Sequence, residues 1–233
     1  MTKPASYDAW YDSPRGGWIG NAEYRLLLNE LHPRSGERVL DVGCGTGWFT
    51  RRMAAFRDLG VTGIDRNAEW LEFARSRDRN SAYLQADALT LPFADNSFDR
   101  VFSVAALCFT ADWRRAAEEI VRVARQSFVI GLLNRHSMLR VEKGRPGGSR
   151  GYRGACWLSP RTFRAGVETL SVDNVRMRYA VYLPSGSVIA RTVERLLPDC
   201  VPFGGFMLLA GDKRPAGNGP VFSVSSPAVP YRN

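Results

Sequence analysis

A chain of 233 residues, 45% hydrophobic and 24% charged, has the size and composition of one globular domain with elaborations. No apolar run approaches the roughly 18 residues that a membrane-spanning helix requires, so the sequence predicts no membrane span. The formal net charge of +9 leaves open an anionic partner, either a small acidic molecule or a nucleic acid. Between Arg135 and Arg153 lie six Arg or Lys and one Glu, for which a solvated basic loop is the alternative interpretation.

The N-terminal stretch and the cysteines give expectations about compartment and metals. MTKPASYDAWYDSPRGG has no apolar core and two early acids, which predicts neither a secretory signal nor a transit peptide, and hence a cytoplasmic protein. Cys44, Cys108, Cys156 and Cys200 stand at least 44 residues apart, a spacing that fits neither a zinc ribbon nor a redox Cys-x-x-Cys pair. We expect four reduced thiols and no metal site.

Residues 1–36 are predicted to form a helical and aromatic segment. Tyr7, Trp10, Tyr11 and Trp18 make up an aromatic cluster, and the apolar residues of NAEYRLLLNELHP recur at helical spacing. The sequence therefore predicts a helical lead-in before the first strand.

Strand and helix patterns alternate over residues 38–133. The predicted strands are RVLDVG, GVTGIDR, AYLQAD, SFDRVFSVAAL and SFVIGLL. The predicted helices between them are GWFTRRMAAF, AEWLEFARSR and ADWRRAAEEIVRVAR. Such alternation is typical of an α/β protein with a parallel, doubly wound sheet and right-handed crossovers.

The predicted helix over residues 111–125 has an apolar face and a charged face. The apolar positions are Trp113, Ala116, Ala117, Ile120, Val121 and Ala124, and the charged positions are Arg114, Arg115, Glu118, Glu119 and Arg122. We expect the apolar face to pack on the sheet and the charged face to point away from it.

The pattern changes after the fifth strand. Residues 135–160, which include EKGRPGGSRGYRG, are predicted to form a loop on the substrate side. A helix is expected to follow, with Ser159 as N-cap and Pro160 in its first turn. Strands are predicted around VDNVRMRYAVYLP and GGFMLLAGDKR, which completes a domain over residues 37–213. Residues 214–233, rich in Pro, Gly and Ser, are predicted to be a disordered tail.

The stretch LDVGCGTGWF indicates a ligand site. Asp41 at the end of a strand is followed by Gly43, Gly45 and Gly47 and then by a helix. Glycines at such a turn let backbone amides approach a bound molecule at the carboxyl end of the sheet. Their G-x-G-x-G spacing departs from the dinucleotide fingerprint G-x-G-x-x-G, and no Lys follows them as in a phosphate-binding loop. A nicotinamide dinucleotide and a triphosphate are therefore disfavoured.

VLDVGCGTGWFT closely resembles the first motif of the class I S-adenosylmethionine-dependent methyltransferases, in the bacterial branch that acts mostly on small molecules. GIDR resembles that family's acidic segment after the second strand and supplies Asp65, 22 residues after Gly43. QADALTLPFADNSFDRV resembles the segment after the third strand and supplies Asp87. The resemblance implies a Rossmann-like sheet of seven strands, mostly parallel with an antiparallel last strand, and helices on both faces.

The resemblance also implies S-adenosylmethionine as cofactor and suggests roles for three acids. Asp65 would accept hydrogen bonds from the ribose hydroxyls, Asp87 from the adenine amino group, and Asp41 from the methionine amino group. Judged from the residues alone, a loop cap remains open for Asp41 and a simple turn for Asp65 and Asp87. The implied cofactor-binding set is Asp41, Gly43, Gly45, Gly47, Asp65, Arg66, Asp87, Ala88, Ser103 and Val104.

An aromatic N-terminal segment often folds over the cofactor in similar proteins. By this resemblance Tyr7, Tyr11 and Trp18 would form a lid, and ordinary packing is the alternative. His136, after the fifth strand, is the candidate general base, which is needed only if the acceptor must lose a proton.

The predicted function is methyl transfer by in-line displacement to a small-molecule acceptor, with an anionic acceptor as one option. Tyr152, Arg153 and Trp157 are candidates either for lining the acceptor pocket or for packing. An RNA or DNA methyltransferase is an alternative that the charge favours, but SVAAL lacks the Asn/Asp-Pro-Pro-aromatic signature of enzymes that methylate exocyclic base amines. A protein that binds the cofactor without turnover is the third possibility.

Overall fold

The computed structural model describes residues 3–56, 58–144 and 152–214. Residues 215–233 of the tail predicted over 214–233, and residues 145–151 at the centre of the predicted basic loop, lie outside the described residues. The strands are β1 (Arg38–Val42), β2 (Gly60–Asp65), β3 (Ala82–Gln85), β4 (Phe98–Val104), β5 (Ala124–Leu133), β6 (Val172–Ala180) and β7 (Phe206–Lys213). The α-helices are α1 (Pro4–Asp8), α2 (Pro14–Leu31), α3 (Trp48–Ala54), α4 (Ala68–Arg77), α5 (Trp113–Val123), α6 (Met138–Lys143), α7 (Pro160–Glu168) and α8 (Val188–Leu196).

The seven strands form one sheet in the order β3-β2-β1-β4-β5-β7-β6. The pairs from β3 to β5 are parallel, whereas β7 runs antiparallel to both of its neighbours, β5 and β6. This topology confirms the predicted seven-stranded, mostly parallel sheet with an antiparallel last strand. The carboxyl ends of β1, β2 and β4 lie at one edge of the sheet, which is where open α/β sheets bind their ligands.

Both faces of the sheet are covered by helices, because successive strand residues point to opposite sides. On one side Leu40 and Val101 join a buried cluster with residues of α5 and α7. On the other side Val39 and Phe102 join a second cluster with residues of α2 and α3. The architecture therefore has three layers, as predicted for a doubly wound sheet.

The charged face predicted for residues 111–125 is wrong at Glu119. This side chain is buried at 4% exposure, where its carboxylate accepts hydrogen bonds from the Leu91 backbone N–H and from Arg122. The helix covers only Trp113–Val123, because Ala124 already begins β5. Helical periodicity alone placed the Glu119 carboxylate on the outer face. Its burial is possible because the Leu91 N–H and the Arg122 guanidinium donate hydrogen bonds to it.

Part of the predicted loop over residues 135–160 is helical. α6 begins after Ser137, whose hydroxyl accepts a hydrogen bond from the backbone N–H of Arg140 and so caps the helix. The helix predicted to follow Ser159 is confirmed, with the Ser159 hydroxyl accepting from the Thr162 N–H. The helix α8 was not anticipated from the sequence, whereas α1 lies within the segment 1–36 that was predicted to be helical.

Gly131 in β5 provides a test of core packing. A Cβ added there would lie 2.2 Å from the Phe206 ring, which is itself buried. We expect Gly131→Ala to lower the free energy of unfolding by about 1–3 kcal/mol, because an overpacked core must shift the ring or the backbone. Urea denaturation measures the loss.

Gly60→Ala in β2 is the matched control, since the nearest atom to its added Cβ is the Glu37 carbonyl oxygen at 4.0 Å. Equal losses of unfolding free energy in Gly131→Ala and Gly60→Ala would contradict the explanation by overpacking.

Candidate cofactor and acceptor site

The glycine turn between β1 and α3 adopts a backbone that favours glycine. The φ angles of Gly43, Gly45 and Gly47 are +79°, +56° and +77°, in the left-handed region that L side chains rarely adopt. A Cβ at Gly43 would lie 2.3 Å from the Ala106 Cβ, and one at Gly47 would lie 2.7 Å from the Tyr83 hydroxyl. Close protein neighbours and backbone conformation therefore account for these glycines, in addition to the ligand approach that the sequence indicated.

Asp65 at the end of β2 is linked to this turn. Its Oδ2 accepts a hydrogen bond of 2.9 Å from the Gly45 backbone N–H, and its Oδ1 accepts one of 2.9 Å from the Asn67 N–H. The side chain is partly exposed. Since an ionised carboxylate has about four acceptor sites, Asp65 can still accept hydrogen bonds from a ligand diol. This observation fits the ribose role implied by the resemblance.

Asp87 and its neighbours lie beside Asp65 at the same edge, because Asp65 pairs with Gln85 in the β2–β3 register. The Asp87 side chain is exposed and accepts a hydrogen bond from the Leu89 N–H, the turn geometry that the sequence left open. Its second oxygen has no hydrogen-bond partner among the described residues. Ala88 packs partly buried against the core, and the Arg66 carbonyl accepts from the Gln85 side chain.

Asp41 is enclosed rather than presented to solvent. It is 2% exposed, and its Oδ2 accepts a hydrogen bond of 2.6 Å from the Thr50 hydroxyl on α3. Burial raises the pKa of Asp41 to about 7, the Thr50 hydrogen bond opposes this rise, and the charge of Asp65 adds to it. The hydrogen bond between Asp41 and Thr50 therefore links β1 to α3.

The raised pKa of Asp41 predicts a pH-dependent contribution to stability. The folded protein holds the proton more tightly than the unfolded chain, where the pKa of Asp is about 4. The contribution is thus complete below about pH 4 and is lost as the pH rises to about 7. We expect Asp41→Asn, which keeps an acceptor for Thr50, to make the fall in unfolding free energy across this window less steep. Denaturation at several pH values measures this fall, and Asp58→Asn, at an exposed acid, is the control. If the unfolding free energy of Asp41→Asn fell with pH as steeply as that of the wild type, Asp41 would not be the cause of the fall.

Ser103 and Val104 complete β4 next to the turn. Ser103 is fully buried, and its hydroxyl has no hydrogen-bond partner among the described residues; the buried Thr46 hydroxyl of the glycine turn has none either. Val104 packs partly buried against the cluster that contains Phe102. After Val104 the chain turns sharply at Ala105, whose φ is 51°.

The N-terminal segment lies across the glycine turn and the helices that flank it. The Tyr7 ring packs against Trp70 of α4 with centroids 5.0 Å apart, and Tyr11 stacks on Trp48 of α3 at 4.4 Å. Asp8 is buried and forms an ion pair of 2.9 Å with Arg51. Tyr7 and Tyr11 therefore occupy a position that suits a lid.

Trp18, the third residue of the predicted lid, lies elsewhere. It belongs to α2 and packs partly buried against the second hydrophobic cluster, without a ring contact to Tyr7 or Tyr11.

His136, the candidate base, is exposed. Within the described part of the chain its imidazole makes no hydrogen bond or ion pair; only its backbone N–H is bonded, to Asn134. Glu23 of α2, which sequence reasoning did not single out, is partly exposed, and burial raises its pKa to about 8, with a further contribution from Glu194. In the sequence, Glu23 is marked only as an acid about one helical turn after Gly20, on a helix with many apolar residues.

The segment that follows residue 151 reaches the same end of the sheet. The Cys156 backbone N–H donates to the Cys108 carbonyl oxygen at 2.7 Å, which ties this segment to the turn after β4. The rings of Tyr152 and Trp157 lie 5.7 Å apart, and both pack partly buried against the core. All four cysteines are free thiols, as expected, with Cys44 and Cys108 buried.

A groove of about 490 Å³ lies on the outer side of the edge strand β6. Its lining includes Arg161, Arg164, Arg176, Arg178 and Cys200. Three strands separate β6 from β1, so this groove is remote from the glycine turn. Within the described ranges, no helix is long and apolar enough to cross a membrane, and no cluster of His, Cys, Asp or Glu could hold a metal ion.

Comparisons with known proteins agree with this geometry. Residues 40–129 match the model of the methyltransferase domain family. The chain is 41% identical over 113 residues to the O-methyltransferase cnsE of Penicillium expansum, covering 46% of this chain and 41% of that protein. It is 40% identical over 99 residues to a malonyl-[acyl-carrier protein] O-methyltransferase of Erwinia pyrifoliae, covering 42% and 37%. The chain thus spans about two fifths of the length of these curated relatives.

A solved structure supports the fold over nearly the whole chain. The S-adenosylmethionine-dependent methyltransferase of Thermotoga maritima, described as a possible histamine N-methyltransferase, matches with a TM-score of 0.73 and 22% identity, covering 90% of this chain and 96% of that one. The fold is that of the S-adenosylmethionine-dependent methyltransferases. Within this fold, residues 40–129 are the part of the chain that matches the methyltransferase domain family.

Proposed function

We propose that this protein transfers the methyl group of S-adenosylmethionine to a small-molecule acceptor. The observation that carries the proposal is the connection between Asp65 and the glycine turn: the carboxylate that orders Gly45 remains partly exposed at the ligand edge of the sheet. The family match over residues 40–129 and the two O-methyltransferase relatives support the reaction and the acceptor class.

The residues present fit the adenosyl cofactor. Asp65 would hold the ribose hydroxyls, the free oxygen of Asp87 the adenine amino group, and the turn Gly43–Gly47 would pass beside the methionine part. When bound, S-adenosylmethionine supplies a methyl group already activated by its sulfonium. The chain itself then has to bind the acceptor, orient it and exclude water, and orientation of this kind can lower a barrier by roughly 7–11 kcal/mol.

Tyr7 and Tyr11 would exclude water from this site. Both rings are held against aromatic side chains that flank the glycine turn, and the Asp8–Arg51 ion pair fixes the segment between them. A closed site without water protects the reacting groups and strengthens the electrostatic interactions within it. We propose that α1 and the turn that follows it form the lid of the acceptor site.

Transfer of a radiolabelled methyl group tests the function. The protein is incubated with methyl-labelled S-adenosylmethionine and a metabolite extract, and the label is measured separately in small molecules and in nucleic acid. We expect protein-dependent label in the small-molecule fraction. Label found only in nucleic acid would overturn the acceptor class, and tight cofactor binding without label in either fraction would indicate a binding protein instead.

A further inference from the structure

The helix α8 carries apolar side chains on its outer face. Val188, Ile189 and Leu196 share this face by helical spacing, and they are 81%, 70% and 77% exposed. The opposite face holds Ala190, which is fully buried, and Glu194. A surface helix of a globular protein normally has the reverse arrangement, with its apolar side chains inward. The outer face of α8 therefore suits a partner that takes up apolar side chains.

Polar contacts hold α8 in this orientation. The Glu194 carboxylate accepts hydrogen bonds from the Val181 backbone N–H at 2.9 Å and from the Tyr182 N–H at 3.1 Å. The Arg191 guanidinium donates to the Pro14 carbonyl oxygen at 3.0 Å. A rotation that buried the apolar face would break these bonds and leave backbone donors unpaired. The exposed apolar face is thus a consequence of how α8 is attached to the protein.

The same kind of surface extends over α6 and the loop before β7. Six large hydrophobic side chains within the described ranges are more than half exposed, and all six belong to α6 or to residues 188–203. Single exposed apolar residues are ordinary, but a group confined to neighbouring segments marks an interaction surface. We call this group the apolar patch; its members are Met138, Val141, Val188, Ile189, Leu196 and Phe203.

Contacts between segments bring the members of the apolar patch together. Arg15 lies between the two helices: its guanidinium is 3.8 Å from the Glu142 carboxylate of α6, and its Cγ is 3.1 Å from a Cβ built at Gly186, just before α8. The Asn134 side chain, just before α6, donates to the carbonyl oxygens of the residues on either side of Phe203, at 3.0 and 2.9 Å. Two helices and a loop therefore contribute to one surface.

The apolar patch lies at the ligand edge of the sheet. β6 runs parallel to β5, since both are antiparallel to β7. The segments that follow β5 and β6, namely α6 and residues 181–205, therefore leave the sheet at the edge where the glycine turn lies. The bond between Arg191 and Pro14 places α8 beside the start of α2. A partner on the apolar patch would thus cover the end of the molecule that holds the proposed site.

The charges around the apolar patch favour an anionic partner. Arg135, Arg140, Lys143 and Arg195 lie on or next to the two helices, with Glu142 among them. Arg135 and Arg195 are exposed and form no ion pair among the described residues. Two copies that met through this surface would bring like charges together, in a chain whose net charge is +9. Apolar side chains bordered by arginine and lysine are typical of surfaces that rest on anionic lipid.

We propose that α6, α8 and Phe203 form a surface through which this protein docks on an anionic lipid membrane. The apolar side chains enter the boundary between headgroups and acyl chains, and Arg135 and Arg195 contact the lipid phosphates. Peripheral docking of this kind needs no helix that crosses the bilayer. It also needs neither cofactor nor acceptor, so its test is independent of the test of methyl transfer.

Sedimentation with lipid vesicles, without cofactor or acceptor, tests the proposal. We expect the protein to bind vesicles of phosphatidylglycerol and phosphatidylcholine at least about tenfold more tightly than vesicles of phosphatidylcholine alone. The double variant Val188→Ser with Ile189→Ser should bind the anionic vesicles at least about tenfold more weakly than the wild type. Leu84→Ser is the matched control, because Leu84 is 42% exposed on β3 at the far end of the sheet, and it should bind as the wild type does.

Two results would overturn the proposal: no binding of the wild type to the anionic vesicles, or equally tight binding by the double variant. Thermal unfolding checks that the double variant is folded, and Leu196→Ser, at the other end of α8, is a second variant at an exposed position. Sedimentation velocity tests the alternative partner. A wild-type dimer that the double variant abolishes, together with no vesicle binding, would make the apolar patch an interface between copies.

Discussion

Asp65→Ala should weaken the binding of S-adenosylmethionine by at least about tenfold, or roughly 1.4 kcal/mol. The substitution removes the acceptor proposed for the ribose hydroxyls and also the bond of 2.9 Å that holds the Gly45 N–H. Both losses weaken binding: the bound state loses an acceptor for the ribose hydroxyls, and a glycine turn that is less ordered in the free protein must be ordered when the ligand binds. Isothermal titration calorimetry on the wild type and the variant measures the difference.

Two further variants separate these contributions. Asp65→Asn keeps one oxygen that can accept from Gly45 and should lose less affinity than Asp65→Ala. Glu69→Ala removes an exposed acid in the first turn of α4 and should bind the cofactor as the wild type does. An affinity of Asp65→Ala equal to that of the wild type would remove the ribose assignment and with it the main support for the proposed site.

Glu37→Ala should lower the free energy of unfolding by about 3–5 kcal/mol, the largest stability effect that we expect. The Arg100 guanidinium is bonded to both Glu37 oxygens at 3.0 and 3.2 Å, to the Leu31 carbonyl at 2.9 Å and to the Ser127 hydroxyl at 2.9 Å. The Arg100 and Glu37 side chains are only 9% and 11% exposed. Removing the carboxylate leaves a buried charge without its counter-ion.

The exposed pair Arg164–Glu168 on α7 provides the control for this prediction. Its side chains are 50% and 46% exposed, so Glu168→Ala should cost no more than about 1 kcal/mol. Urea denaturation of both variants gives the comparison. If the two losses were similar, the Arg100 network would not be a principal support of the junction between α2, β1 and β4.

The sequence predicted most of the secondary structure because the underlying signals are local. Short apolar runs that alternate with helical patterns marked β1, β2, β4 and β5, and β-branched residues with flanking glycines marked β2. The Ser159 N-cap and the mixed topology of the last strands agree with the structure. The helices α6 and α8 were missed because their apolar faces are small and partly exposed: Met138, Val188 and Ile189 are 55%, 81% and 70% exposed.

The environment of individual side chains could not be predicted in this way. Glu119 has a position on its helix that is typical of an exposed residue, yet a loop donor at Leu91 makes its burial favourable. His136 has the chemistry of a base but lies exposed, without a hydrogen-bonded or ionic partner for its ring among the described residues. Burial and pairing depend on segments far apart in the chain, which periodicity does not describe.

By itself the sequence determined the class of fold and indicated the proposed cofactor site, because the glycine turn and the acids at strand ends are encoded within short segments. Only the tertiary structure decided how the N-terminal segment lies over this edge of the sheet. Tyr7 packs against Trp70 and Tyr11 stacks on Trp48, although these residues come from separate parts of the chain. Such contacts arise only once the N-terminal segment and the helices α3 and α4 meet, which local sequence patterns do not describe.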